Sequence, residues 1–314
     1  MVLRATRIPG PDEAGFSVSN GVRVAFHGVR GSTPVAGPGY GRYGGHSSCV
    51  TVESEGEAPL VLDLGTGFST YGCRVEGEFH GSVLLTHLHW DHVMGLPFFV
   101  PLHQAESTLL VYGPRQTEGS LSQAFEDLMR PPYFPIRPQE LPGKVDFVDV
   151  SEDDFPLGQA KVRSRWVRHN GPTLGFRVEL GGTTIAYIPD HGQGCSHGDP
   201  DDYVPDAVLE LCDGVDLLIH DAQHTLEEYR SHRHWGHSTP NYAVRVAREA
   251  GAARLVLFHH DPRHTDDIID DIARDALEYS RNLGGADVIA AQEGLVLHIP
   301  PSGTPVTAGA MALR

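Results

Sequence analysis

The chain of 314 residues is short of cysteine, of positive charge and of long apolar runs. Its four cysteines, Cys49, Cys73, Cys195 and Cys212, are scattered and form no CxxC pair. That spacing excludes a zinc ribbon. It fits buried free thiols in a reducing compartment better than a disulfide framework. No stretch approaches the roughly 18 apolar residues of a membrane span. The first residues, "MVLRATRIPGPDEAGFSVSNG", hold no apolar core of a secretory leader, so a cytoplasmic protein is expected. Lys and Arg total 24 against 41 Asp and Glu, a formal net charge of −17. Such a surface repels polyanions, because non-specific nucleic-acid affinity rests on Lys and Arg contacts to phosphate. Neither long nucleic acid nor a membrane is the expected partner. One basic strip remains: "KVRSRWVRH" (161–169) sets Lys161, Arg163 and Arg165 on one strand face running into His169. It reads as a solvated outer face, with a phosphate-steering edge as the alternative.

What the chain does have is histidine, 19 in all, and three of them fall in "THLHWDH" (86–92). The apolar run before it, "GSVLL", reads as a buried strand ending at Thr86. If strand geometry continues briefly, His87 and His89 share a face, since side chains two apart point the same way. Asp91 and His92 then fall where the chain turns. One short segment could present two histidines to one cation and an Asp–His pair to its neighbour.

The organisation around that cluster is α/β. Strand-like runs occupy 22–28, 48–54, 58–67, 107–114, 145–150, 160–168, 173–180, 183–189, 216–222 and 294–300, with another at "RLVLFHH". A long Gly- and Pro-rich loop, "VRGSTPVAGPGYGRYGGH", separates the first two, and loops of that length are usually functional or mobile. "VMGLPFFVPLH" suits a helix start interrupted by prolines. "LSQAFEDLM" and "PDAVLELCDG" read as short helices. In "STPNYAVRVAREAG" (238–251), Thr239 is placed to cap a helix, Pro240 takes its first position and Gly251 closes it. "TDDIIDDIARDALEYSRNLGG" is an amphipathic helix with Asp266 and Asp267 in its first turn and Gly284 near its end. Strands first and strand–helix units later argue for layered sheets. We expect a flexible lead-in at 1–20, one domain at 21–300 and a frayed tail at 301–314. The segment 131–144, "PPYFPIRPQELPGK", looks like a semi-rigid insertion that could wall the site or meet a second copy in a homodimer.

Four further ligand-type residues follow strand runs and so belong at a sheet rim, where sheet proteins commonly place their sites: His169, Asp190, Asp221 and His259. In order, "THLHWDH", "RHNGP", "YIPDHG", "IHDAQ", "WGHST" and "LFHHDP" resemble the metallo-β-lactamase fold, and within it the phosphodiesterase branch related to ribonuclease Z. The resemblance spans about residues 22 to 299. It implies a four-layer αβ/βα sandwich holding two metals. His87, His89 and His169 would then bind the first, Asp91, His92 and His259 the second, and Asp190 would bridge them. The implied catalytic residues are Asp91, His237 and Asp221. The loop "RGSTPVAGPGYGRYGGHSSC" also resembles a bacterial subgroup that includes cyclic-nucleotide phosphodiesterases.

The residue types suit this chemistry. Imidazole-rich sites with one or two carboxylates favour Zn²⁺, with Mn²⁺ or Fe compatible. Two such ions can hold a bridging hydroxide at neutral pH and clamp an in-line displacement at phosphorus. His237 lies just before a helix N-terminus, whose field attracts phosphate and disfavours imidazolium. Asp221 could offset that field if the two approach. A cationic His237 could then protonate the leaving alkoxide, whereas its bland role is to cap the helix. His260 should face away from His259, and His191 is either a pocket wall or a rim residue. Cys195, His197, His232 and His234 could make a second zinc site but read more simply as loop residues. Asp63 would support the metal loop by hydrogen bonds. The expected activity is phosphodiester hydrolysis on a small substrate such as a cyclic nucleotide. The alternatives are a tRNA 3′-end endonuclease and a thiolester or lactam hydrolase. The endonuclease branch usually carries a long arm between the positions of His169 and Asp190, where this chain has room only for a hairpin.

Overall fold

A computed structural model describes residues 21–193 and 203–302, which form two seven-stranded sheets. The first contains β1 (Val22–Gly28), β2 (Cys49–Glu53), β3 (Leu60–Leu62), β4 (His80–Leu84), β5 (Thr108–Pro114) and β6 (Lys144–Val150). The second contains β7 (Asp154–Leu157), β8 (Ala160–Trp166), β9 (Leu174–Leu180), β10 (Thr183–Ile188), β11 (Leu217–Asp221), β12 (Arg254–Phe258) and β13 (Asp287–Ala290). The last strand, β14 (Val296–Ile299), returns to pair antiparallel with β1. Each sheet is antiparallel on one side and parallel on the other. The parallel runs are β3 to β6 and β10 to β13. Parallel strands need crossover connections, and those connections supply most of the helices.

The residue pattern explains the layering. In β11, Leu217 and Ile219 enter the central core between the sheets while Leu218 enters an outer core. In β12, Val256 and Phe258 face inward while Leu255 and Leu257 face outward. A strand covered on both faces must be apolar at every position, which is why these runs show no alternation. Each fully buried Leu, Ile, Val or Phe contributes roughly 1.5–3 kcal/mol. On the first sheet the outer layer is α1 (Thr66–Gly72), α2 (Trp90–Val93) and α3 (Leu121–Leu128), packed through Phe68, Val93 and Phe125. On the second it is α4 (Asp206–Cys212), α6 (Pro240–Glu249) and α7 (Asp266–Asn282), packed through Leu211, Val244 and Ala276, with α5 (Leu226–His232) between α4 and α6 in the chain. Helix–sheet–sheet–helix is the αβ/βα order of the metallo-β-lactamase fold.

Local signals hold at several helix ends. Thr239 caps α6 through the Tyr242 N–H, Pro240 opens it, and Gly251 follows it in the left-handed region at φ 68°. Other expectations need correction. "VMGLPFFVPLH" does not form a helix: α2 ends at Val93 and two 3-10 turns follow, Leu96–Phe98 and Val100–His103. Pro97 and Pro101 lack the N–H that a continuing α-helix needs. The turn expected after β3 is instead α1, held by Phe68 stacked on Phe99 at 3.9 Å. Cys49 and Cys212 are buried but Cys73 is exposed. Within the insertion, Phe134 and Ile136 pack on the outer core and Tyr133 is exposed. Residues 1–20 and 303–314 lie outside the described residues. Among those described, no helix is long and apolar enough to cross a membrane.

Candidate metal centre

The ends of β4, β8, β10, β11 and β12 open on one edge of the sandwich, and the expected site residues converge there. His87, His89, His169 and Asp190 offer ligand atoms all within 4.8 Å of one another. Asp91, His92 and His259 form a second such group. Asp190 stands between the two: its Oδ2 is 3.7 Å from His87 Nε2 and 3.5 Å from His169 Nε2. Its Oδ1 is 3.0 Å from His92 Nε2 and 3.2 Å from His259 Nε2. His89 is the exposed member and marks the open side of the site. The rings of His87 and His89 lie 4.5 Å apart, on one side as the two-residue spacing requires.

Hydrogen bonding orients the rings for metal. His92 Nδ1 donates to Asp63 Oδ2 at 2.7 Å. His259 Nδ1 donates to Gln223 Oε1 at 2.9 Å, and His169 Nδ1 donates to the Gly236 carbonyl at 2.6 Å. Thr86 Oγ1 donates to Asp63 and so accepts from His87 Nδ1 at 3.0 Å. In each of these four rings Nδ1 is engaged by a hydrogen-bond partner, which leaves Nε2 facing inward. The consequence is unfavourable without a cation. His92 Nε2 and His259 Nε2 face each other at 3.2 Å, and His87 Nε2 is buried with no hydrogen-bond partner. Inward lone pairs beside two buried carboxylates fit divalent cations and little else.

Electrostatics point the same way. Burial first, then the neighbouring histidines, hold His87 well below the ordinary imidazole range despite Asp190. Burial likewise brings His169 down to about 4. Burial alone would raise Asp190, yet His259, His92 and His87 together hold it well below the usual carboxylate range. His92 differs: burial pulls it down, but Asp190, Asp91 and Asp63 together push it up, so in the metal-free protein it competes for a proton. Neutral imidazole and ionised carboxylate are the forms that bind metal.

Supporting groups fix the ligands. Asp63, fully buried, accepts from the Thr86 N–H at 2.7 Å and from Tyr187 Oη at 2.9 Å as well as from His92. The non-glycine residues described with positive φ are Ser32, Asp63 and His259, and all three border this site. Backbone in that region is strained and survives where surrounding structure enforces it. Gly236 sits against the His169 ring, where a Cβ would lie 2.7 Å from Nδ1.

His237 is placed beside the candidate metal ligands, just ahead of α6. Its Nδ1 meets Asp221 Oδ2 at 2.8 Å. Asp221 is fixed further by the His191 and Gln223 N–H groups at 3.0 and 2.9 Å. Burial lowers the His237 pKa, but the Asp221 charge and hydrogen bond, with Asp190 and Asp91, outweigh it and leave the imidazole above its ordinary value. His237 also groups with Asp190 and His259 within 4.8 Å, so it is in reach of anything bound between them.

Other candidates separate from the site. His260 turns away and bonds the Ala291 carbonyl. His191 is buried with Nδ1 3.2 Å from His220 Nε2, so it is not an exposed rim residue. Cys195 and His197 lie outside the described residues, and no metal grouping among the described residues includes His232 or His234. Arg163 and Arg165 pair with Asp154 and Glu210, which spends their charge locally and bears out the outer-face reading. Sequence reasoning gave no role to Gln223, Ser32 or the Gly236 carbonyl, although they lie inside "IHDAQ", the Gly- and Pro-rich loop and "WGHST".

Comparisons with known proteins agree with this geometry. Residues 80–260 match the family described as Beta-lactamase superfamily domain. A protein named Ribonuclease Z from Haloarcula marismortui is 26% identical over 87% of this chain and 96% of its own. Two solved structures share the fold. The metallo-β-lactamase fold protein YhfI from Bacillus subtilis has a TM-score of 0.64 at 19% identity, covering 89% of this chain and 99% of that one. A diphosphatase from the PhnP family has a TM-score of 0.64 at 18% identity, covering 89% and 98%.

Proposed function

The chain belongs to the β-lactamase superfamily, and from that membership we propose that it is a metal-dependent hydrolase of phosphodiester bonds. The observation that carries the reading is the pairing of two adjacent ligand groups with a neighbouring histidine, His237, whose Nδ1 is held by Asp221 Oδ2 at 2.8 Å. His87, His89 and His169 would hold one cation and Asp91, His92 and His259 the other, with Asp190 shared. Zn²⁺ suits the imidazole-rich set, and Mn²⁺ or Fe would also fit. When bound, the two ions acidify water towards a pKa of ~7 and polarise phosphoryl oxygens. The chain supplies the rest. Asp91 orients its carboxylate through the Ser32 N–H, and His237, held by Asp221, donates a proton to the departing alkoxide.

A small substrate such as a cyclic nucleotide is the favoured case. Between His169 and Asp190 the chain forms only the β9–β10 hairpin, turned at Gly181 and Gly182. The net charge of −17 also opposes a polyanion. The name of the Haloarcula relative weighs against that expectation and favours a second reading, tRNA processing. A substrate panel separates the two. Metal-loaded protein should cleave a chromogenic phosphodiester and a 3′,5′- or 2′,3′-cyclic nucleotide faster than precursor tRNA. Selective cleavage of precursor tRNA would establish the second reading, and turnover of a lactam or thiolester alone would overturn both.

A further inference from the structure

Gln223 lies one turn of loop beyond β11, buried, and its two ends do different things. Its Oε1 accepts from His259 Nδ1 at 2.9 Å, and its Nε2 donates to Ser32 Oγ at 3.2 Å. Its backbone N–H donates to Asp221 Oδ1 at 2.9 Å. Ser32 in turn donates its N–H to Asp91 Oδ2 at 2.6 Å. The side chain therefore joins the loop at Ser32 to a ligand of the second group, and the backbone N–H of the same residue reaches the carboxylate that holds His237. Gly31 also lies against the Nδ1 edge of the His259 ring, where a Cβ would lie 2.3 Å from Nδ1. Backbone and amide thus meet the ring at the same nitrogen.

We propose that Gln223 is a positioning residue that fixes His259 as its Nδ1–H tautomer and so aims the Nε2 lone pair at the second metal position. The inference rests on the dinuclear reading above. An amide oxygen can only accept, so it enforces Nδ1–H without drawing the proton away. Outer partners of metal-bound histidine act in this way, and losing one typically costs 10–100-fold in metal affinity. Because Gln223 touches only the second group, the loss should fall on one ion.

The test is stepwise metal binding to the full-length protein, measured by competition with a chromogenic chelator for Zn²⁺ and Mn²⁺. Gln223→Leu keeps the volume but not the acceptor, and should weaken the second ion by roughly 10–100-fold while the first binds as in wild type. Gln223→Glu keeps an acceptor for His259 Nδ1, and the Ser32 hydroxyl can turn to donate to it, so it should retain the second ion. Circular dichroism checks that both variants fold. If Gln223→Leu does not fold, Gln223→Met supplies the comparison. Two wild-type ions with unchanged affinities in the Leu or Met variant would overturn the inference alone. Equal loss of the second ion in the Glu variant would overturn it too. A wild type that binds no second ion would overturn both this inference and the dinuclear reading.

Discussion

His237 Nδ1 and Asp221 Oδ2 are 2.8 Å apart in the buried wall of the candidate metal centre, and the Asp221 carboxylate is the largest influence raising the His237 pKa. We expect His237→Ala to keep its metal and to lower kcat for an alkyl phosphodiester by roughly 10²–10⁴, the usual span for a positioned acid–base group. The loss should shrink for a nitrophenyl ester, whose leaving group departs without a proton. Equal losses on both substrates, measured by steady-state kinetics, would assign His237 to phosphate binding instead.

The same contact predicts a pH effect. An acid works while protonated, so its contribution is present below the His237 pKa and lost as pH rises through it. Burial pulls that pKa down and Asp221 is the largest influence raising it. Asp221→Asn should therefore move the alkaline limb of the kcat profile to lower pH, with a larger deficit at pH 8.5 than at pH 6. A profile that drops uniformly would mean that Asp221 does not tune His237.

Asp63 is fully buried and serves Thr86, His92 and Tyr187 together. Asp63→Asn leaves the shape but offers an N–H where only acceptors are needed. Breaking a buried network on one side costs about 3–5 kcal/mol. We expect chemical denaturation to show a loss of that order and metal analysis to show a depleted second site. Wild-type stability would contradict the structural role given to Asp63.

In the insertion, Phe134 meets Phe98 edge-on at 5.8 Å, while Phe98, Tyr133 and Trp90 remain exposed. Replacing Tyr133 and Phe134 by Ala should change KM or the oligomeric state and leave metal content intact. Kinetics with size-exclusion chromatography would show it, and no change in either would leave the segment to surface packing.

Much of the site was legible because each ligand type follows a strand-like run, and strand ends gather at one edge. "THLHWDH" carried the strongest signal, since its spacing constrains side-chain direction locally. The Asp221–His237 contact could be anticipated only conditionally, because 16 residues and a helix start separate the pair. Gln223 ends the quoted segment "IHDAQ", but its role was not legible. Its partners Ser32 and His259 lie 191 and 36 residues away, and a glutamine after a strand has no spacing rule. Helix α1 was missed for a related reason: "GTGFSTYG" has weak helix propensity, and packing of Phe68 on Phe99 decides its conformation.

On the proposed reading, two cations and phosphodiester chemistry belong to one site, and a single titration tests both. Metal-depleted protein should be titrated with Zn²⁺ or Mn²⁺ while bound metal and bis-p-nitrophenyl phosphate hydrolysis are followed together. We predict saturation at two ions per chain, with hydrolysis rising as the second binds. Saturation at one ion, or two bound ions with no hydrolysis, would contradict it.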